Sequence, residues 1–382
     1  MDSIYACCAG LDVHKKTVVA CVRRLGPDGL VGSEVRTYRT MTADLIALAD
    51  WLDAEGVTHV AMESTGVYWK PAFHLLEGRF EVLLVNAHRI KNVPGRKTDV
   101  KDAQWIAQLL QHGLLEASFI PPPPIRELRD LTRQRTQLVR ERADVVRRVH
   151  KVLEDANIKL ASVATDVLGA SGRAMLEALI GGREDAADLA ALARGRLRAK
   201  APELRLALRG RVTDHHRFQL GMLLRQIDQL EAWIGEYSGR IEAAAAPFVA
   251  AAARLGTIPG LGARAAEVIV AEIGTDMARF PTAGHLASWA GLCPGNHESA
   301  GKRRTGRTTK GSQWLRATLV QVAWSASHAK ATIFQATYRR WAKRLGRKKA
   351  LVALGHKILT VIYKLLKDGI DYRELWTAPE PA

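Results

Sequence analysis

Two kinds of apolar spacing follow one another at the start of the chain. The stretch YACCAGLDVHKKTVVACVRRL holds two β-prone runs separated by the polar, turn-like DVHKK, and GLVGSEVRTYRT adds a third, which predicts an antiparallel meander. The spacing then changes to helical over Asp44 to about Glu55, returns to a strand at THVAMES, is helical again from Tyr68 to about Glu77, and ends in the strand EVLLVN. The two later strands should lie parallel. A further helix, VKDAQWIAQLL, is expected to open at Asp99 with Thr98 as its N-cap. A meander followed by alternating helices and strands predicts an α/β domain with a mixed sheet over residues 1–120.

PPPP at 121–124 reads as a semi-rigid spacer that closes this domain. Beyond it Leu131, Leu138, Val145 and Val152 recur every seven residues, and Leu220, Leu223, Ile227, Leu230, Ile234, Tyr237 and Ile241 follow a second heptad seam. Residues 121–250 are therefore expected to form long helices in a coiled-coil arrangement, either as a hairpin within one chain or between two. Arg135 and Arg142 interrupt the first seam, which predicts loose packing there or a basic face for nucleic acid. In residues 251–382, mainly helical, LGTIPGLGARAAEVIVAEIG places two glycines around a leucine between short helices. That pattern resembles a helix-hairpin-helix, whose turn offers N–H groups to a phosphate backbone, and reads equally as a tight turn between packed helices.

Charge sharpens the division. The chain of 382 residues carries a formal net charge of +17. Residues 1–120 hold 13 Lys and Arg against 14 Asp and Glu, whereas the remainder holds 43 against 25. So large a surplus suits a polyanion, because each cation placed on a phosphate releases condensed counterions. Residues 299–316 carry six cations and no acid, and seven of the eleven residues in RRWAKRLGRKK at 339–349 are cationic. The four cysteines lack CxxC spacing and suggest neither a zinc site nor a disulfide framework. The N-terminus lacks a signal-peptide pattern and no long apolar run follows, so a cytoplasmic protein with no membrane segment is expected.

Against this basic background, four acids occupy chosen places. Asp12 lies at the end of the first predicted strand and Glu63 at the end of THVAMES. Asp99 and Asp102, three apart, share one face of the helix after the last strand. In a mixed sheet all four would meet at the carboxyl edge, where open α/β sheets place their ligands. Such a cluster needs cations, which points to Mg²⁺ or Mn²⁺ held by oxygen ligands. Two metals of this kind suit phosphoryl transfer. Taken singly, Asp99 and Asp102 also complement a helix dipole, Asp12 also fits a turn, and Glu63 also fits a strand-end surface.

The segments GLDVHKKT, MESTGVYW, KTDVKDA, IPGLG and SWAGLCPGNHESAGKRRTGRTTKGSQWLR, in this order, resemble the DEDD-type transposases of insertion sequences, the bridge-RNA-guided recombinases. The resemblance implies a RuvC-like (RNase H-like) N-terminal domain and a serine-bearing C-terminal domain. By motif, its metal-binding quartet falls on Asp12, Glu63, Asp99 and Asp102, and its nucleophile on Ser299 after Glu298; Ser288 and Ser312 lie outside the motif. Lys302, Arg303, Arg304, Arg307, Lys310 and Arg316 are the expected nucleic-acid-binding cations around that serine. The implied partners are donor and target DNA, a noncoding bridge RNA and further copies of the chain, as a dimer or as a tetramer on DNA. Other readings are a RuvC-like Holliday-junction resolvase using metal-activated water, an actin-like ATPase such as a sugar kinase, and an architectural nucleic-acid binder. The resolvase would need the quartet and not Ser299. The ATPase should show Gly-rich phosphate loops in a second copy of the fold, which the sequence does not, and the architectural binder has no use for four converging acids.

Overall fold

The computed structural model describes residues 4–64, 66–86, 102–294, 297–299, 302–305, 308 and 311–372. It divides into two compact units, 1–120 and 121–382.

In the first unit, β1 (Cys7–Val13), β2 (Thr17–Leu25) and β3 (Val31–Arg39) form the meander. They are followed by α1 (Thr42–Ala54), β4 (His59–Glu63), α2 (Trp69–Leu76), β5 (Glu81–Val85) and α3 (Asp102–Gln111). The five strands make one sheet in the order β3-β2-β1-β4-β5, antiparallel through β1 and parallel from β1 to β5. This mixed α/β arrangement agrees with the RNase H-like expectation. Alternation along the strands sorts the side chains by face. Ala9, Leu11, Val60 and Met62 share a core with Leu48, Trp51 and Leu52 of α1 and Phe73 and Leu76 of α2. On the opposite face Cys8, Ala61 and Val85 meet Ile106, Leu109 and Leu110 of α3. Burial pushes the Cys8 thiol up to about 12, so it stays protonated and is neither nucleophile nor thiolate ligand.

The second unit is built on two long helices, α4 (Pro123–Asp155) and α9 (Asp214–Ala245). Between them lie α5 (Leu160–Val163), α6 (Ala170–Ile180), α7 (Ala186–Ala191) and α8 (Ala201–Ala207). The prolines expected as a spacer partly belong to α4, with Pro123 and Pro124 in its first turn. Proline is tolerated there because the first helical N–H groups have no partner within the helix and the fixed φ already suits it.

The two long helices run antiparallel within one chain. Leu138, Val145, Val149 and Leu153 of α4 share a core with Leu220, Leu224, Ile227 and Leu230 of α9. The arginines that break the first heptad seam do not loosen it. Arg135 Nε donates to Ser238 Oγ at 2.7 Å, and Arg142 pairs with Glu231 at 2.5 Å, both across to α9. At the far end buried His216 bonds Asp155 at 2.8 Å and completes the capping box of α9 with Thr213.

The rest of the unit comprises α10 (Val249–Gly256), α11 (Ala263–Ile273), α12 (Ala283–Trp289), β6 (His297–Ser299), β7 (Lys302–Thr305), α13 (Gln313–His328), α14 (Ile333–Leu345) and α15 (Arg347–Asp368). The turn between α10 and α11 has Gly260 at φ +86°, where a Cβ would lie 2.4 Å from the Ala326 backbone nitrogen. Glycine is required by the close approach of α13 as well as by the backbone angle. Among the described residues no helix is long and apolar enough to cross a membrane.

Candidate active site

The acids of the first unit are placed by strand register. Leu11 of β1 lies opposite Met62 of β4 in a parallel pair, so Asp12, next to last in β1, and Glu63, the last residue of β4, follow side by side. Each alternates with residues of the α1 and α2 face and therefore belongs to the face covered by α3. Helix α3 runs over that face against the direction of β1. The Cys8 thiol donates to Ala107 O at 3.6 Å, and the Ile4 N–H donates to Gln111 O at 2.8 Å near the start of β1. The first residue of α3, Asp102, is thereby at the end of β1 that carries Asp12.

This crossing is unusually close. A Cβ on Gly10 would stand 2.3 Å from Ala107 N and 2.4 Å from Ala103 O, so only glycine lets the first turns of α3 lie on β1. Asp12 is 22% exposed, reachable by a ligand while anchored in the sheet, and its Oδ2 is 3.1 Å from His14 Nε2.

Three of the four expected acids, Asp12, Glu63 and Asp102, therefore share one face at one sheet edge. Asp99 and its neighbour Thr98 lie outside the described residues. The donors are carboxylate oxygens, the hard ligands that Mg²⁺ and Mn²⁺ prefer, so the chemistry of the set fits the expected ions. Among the described residues no group of three or more His, Cys, Asp or Glu is arranged to hold a metal ion.

In the second unit Ser299 is the last residue of β6 and pairs with Lys302, the first residue of β7; Glu298 pairs with Arg303. The sequence shows residues 299–316 only as a cationic segment, with no β periodicity to mark this hairpin. Lys302, Arg303 and Arg304 form most of the strand alongside the serine. Arg307 and Lys310 lie outside the described residues. Arg316, on α13, donates to Thr308 Oγ1 at 3.3 Å.

The feet of the hairpin are fixed. Pro294 and Thr308 form an isolated antiparallel bridge. At Gly311 a Cβ would lie 2.3 Å from Gly291 N, so the outgoing chain passes directly over the incoming one. Ser312 caps α13 by accepting from Leu315 N–H, and its hydroxyl donates to Glu272 Oε2 at 2.8 Å. Glu272 is completely buried and takes two further bonds, from Arg133 Nε at 2.7 Å and Nη2 at 2.9 Å. Beside it Arg129 donates to Ala271 O and Glu272 O, satisfying carbonyls at the C-terminal end of α11. Burial lowers the Arg129 guanidinium to about 10, still charged at neutral pH. These residues escape a motif search because α4, α11 and α13 are remote from one another in sequence.

Comparisons with known proteins match the chain in two stretches, the first running from the acid-bearing unit through α4. Residues 9–158 match the model of DEDD transposases of the IS110 type, described as Transposase, and residues 252–339 match the Transposase IS116/IS110/IS902 family. The chain is 32% identical over 131 residues to the protein y4pF/y4sB of Sinorhizobium fredii, covering 32% of each chain. It is 31% identical over 121 residues to the pilin gene-inverting protein of Moraxella bovis, covering 31% of this chain and 37% of that one. To the insertion element IS110 43.6 kDa protein of Streptomyces coelicolor it is 32% identical over 120 residues, 31% of this chain and 29% of the relative. The aligned stretches thus span about a third of each relative's length. With one match on the acid-bearing unit and the other around the serine hairpin, the chain belongs to the IS116/IS110/IS902 transposase family.

Proposed function

We propose that this protein is a site-specific DNA recombinase that excises and inserts its own element. The observation that supports the reading is that Asp12, Glu63 and Asp102 lie on one side of the sheet toward one edge, in a chain whose other unit carries Ser299 beside a cationic strand. In this reading the Ser299 hydroxyl attacks a DNA phosphorus. A serine–phosphate bond forms as the bond to one deoxyribose oxygen breaks; the serine proton is lost and the departing hydroxyl gains one. Reversal with a new hydroxyl rejoins the strand without ATP, because the phosphodiester energy is kept in the covalent link. Lys302, Arg303 and Arg304 offset the charge gathering on the phosphate. Asp12, Glu63, Asp99 and Asp102 would hold Mg²⁺ or Mn²⁺, which supplies electrophilic stabilisation of the reacting oxygens.

Membership of the family supports donor and target DNA as substrates, with a noncoding bridge RNA of the element as guide. The name of the Moraxella bovis relative, a gene-inverting protein, fits the same chemistry. The apolar seam of α9 is used within the chain, so self-assembly no longer follows from the heptads. A dimer, and a tetramer on DNA, rest here on the separation of acids and serine between two units, which lets two subunits complete one site. In solution the α4–α9 pair acts as a coiled-coil spacer, and the α10–α11 turn as a helix-hairpin-helix toward DNA.

The test measures strand cleavage and DNA binding together, on purified chain with element-end DNA and the element's RNA. Asp102→Ala should abolish cleavage and keep binding within about twofold, since it removes no phosphate-contacting cation. Chelation should stop wild-type cleavage, and Mg²⁺ or Mn²⁺ should restore it. Normal cleavage by Asp102→Ala would remove Asp102 from the site, and cleavage that survives chelation would remove the metal-holding acids from the chemistry.

A further inference from the structure

A half-open recess of about 240 Å³ lies on the second unit where α4, α9, α11 and α13 meet, with Val139, Arg140 and Arg264 exposed at its rim. Val139, Ile241 and Val268 give it apolar walls, and Trp314 an aromatic one. Four guanidinium groups line it, those of Arg133, Arg135, Arg140 and Arg264, against the single carboxylate of Glu267.

Two of these cations are already neutralised. Arg133 is bound to Glu272, and Arg264 donates to both oxygens of Glu267 at 2.9 and 3.1 Å. Arg135 and Arg140 are different: among the described residues neither forms an ion pair. Arg135 makes the one bond to Ser238, and Arg140 stands over the Trp314 ring at 4.7 Å. Burial and the nearby Arg264 charge lower the Arg135 guanidinium, against a smaller opposing effect of Glu267. The Thr132, Thr136 and Thr318 hydroxyls already donate to helix carbonyls, which leaves guanidinium N–H groups as the main unused donors.

We propose that this cavity binds one nucleoside phosphate unit of an unpaired nucleic-acid strand, its phosphate on Arg135 and Arg140 and its base against Trp314. Guanidinium groups match phosphate oxygens in shape and charge, and bases stack on indole rings whatever their sequence. A bare anion would have no use for the apolar walls. A base-paired nucleotide could not enter a recess of this size, so the unit comes from an unpaired strand or is a free nucleotide. The proposal stands on the cavity and not on the recombinase reading.

Calorimetry on the full chain at one fixed salt concentration tests it, with a 5′-phosphorylated single-stranded dinucleotide, adenosine monophosphate and inorganic phosphate as separate probes. Arg140→Gln should weaken dinucleotide binding by at least about tenfold, and Arg135→Gln by a similar factor. Arg135 also ties α4 to α9, so Arg140→Gln, which breaks no such bond, is the deciding variant. Trp314→Ala should weaken binding by about tenfold and Trp314→Phe by much less, because a phenyl ring still offers a face for a base to stack on. Arg183→Gln, an equal loss of charge on the exposed surface near α6, should change affinity by less than about twofold. Adenosine monophosphate binding as tightly as the dinucleotide, with the same dependence on Arg140, would keep the site and make its ligand a free nucleotide. Inorganic phosphate binding as well as the dinucleotide, or Arg140→Gln and Arg183→Gln behaving alike, would overturn it. DNA cleavage is read separately: intact cleavage with no dinucleotide binding defeats the cavity alone, and the reverse result defeats the recombinase reading alone.

Discussion

The two candidate halves of the chemistry are held in opposite ways. Asp12, Glu63 and Asp102 sit on regular backbone, where strand register and one glycine decide their positions. Ser299 sits at the end of a three-residue strand, and its location depends on contacts beneath it: the Pro294–Thr308 bridge, Gly311 over Gly291, and the buried Glu272 with Arg133 and Ser312. A site on regular elements is set by backbone geometry and tolerates change in most side chains around it. A site on a short hairpin inherits the stability of a side-chain network elsewhere. The acid edge should therefore fail by loss of chemistry and the serine hairpin also by loss of support.

The largest effect expected is chemical. Asp12→Ala or Glu63→Ala should lower strand cleavage by at least about 10³-fold with melting temperature nearly unchanged, measured on the same preparation. Both values falling together would erase the contrast between the two regions. Next comes Glu272→Ala, which removes the buried partner of half-buried Arg133. Because Arg133 is 34% exposed, the expected loss of about 3 kcal/mol is at the lower end for a broken buried pair. Denaturant unfolding measures it, and cleavage should fall while Asp102 is untouched. Glu272→Gln, which can keep one bond to Ser312, should lose less. If Glu272→Ala unfolded at the wild-type midpoint, the hairpin would not depend on this network.

Gly10→Ala ranks third. The added methyl has backbone, not a flexible side chain, at 2.3 Å, so α3 must shift at a cost of about 1–3 kcal/mol. That shift moves Asp102 away from Asp12, so cleavage should drop more than stability alone accounts for. Smallest is Arg142→Ala. Its partner Glu231 is half exposed, and the pair should contribute less than about 1 kcal/mol to unfolding free energy.

The acid edge was legible because its information is local. DVHKK marks the end of a strand, THVAMES ends on Glu63, and the change from meander to alternating helix and strand puts these ends together. The heptads marked both long helices for the same reason. Whether they paired within one chain was not legible, since an apolar seam is silent about its partner. Arg135 and Arg142 misled because a cation on a seam reads as a defect until Ser238 and Glu231 are seen opposite.

The support of the serine hairpin was hidden more deeply. Glu272 and Arg133 are 139 positions apart, and a glutamate among IVAEI has nothing to mark it as a buried acid. The hairpin itself is too short for β periodicity, and its second strand, KRRT, looks like a cationic loop. Motif resemblance locates Ser299 without revealing what holds it.

The central claim is that Ser299 forms the covalent bond to DNA, and the most direct measurement looks for that bond. Cleavage reactions on labelled element-end DNA are stopped with denaturant and separated by mass. Wild-type chain should yield a protein–DNA species that protease and nuclease digestion together reduce to a peptide carrying phosphate or a nucleotide on residue 299; Ser299→Ala should yield none, while Ser288→Ala and Ser312→Ala still form it. Normal-rate cleavage by Ser299→Ala, with free DNA ends and no covalent species in any variant, would contradict the account and make water the nucleophile.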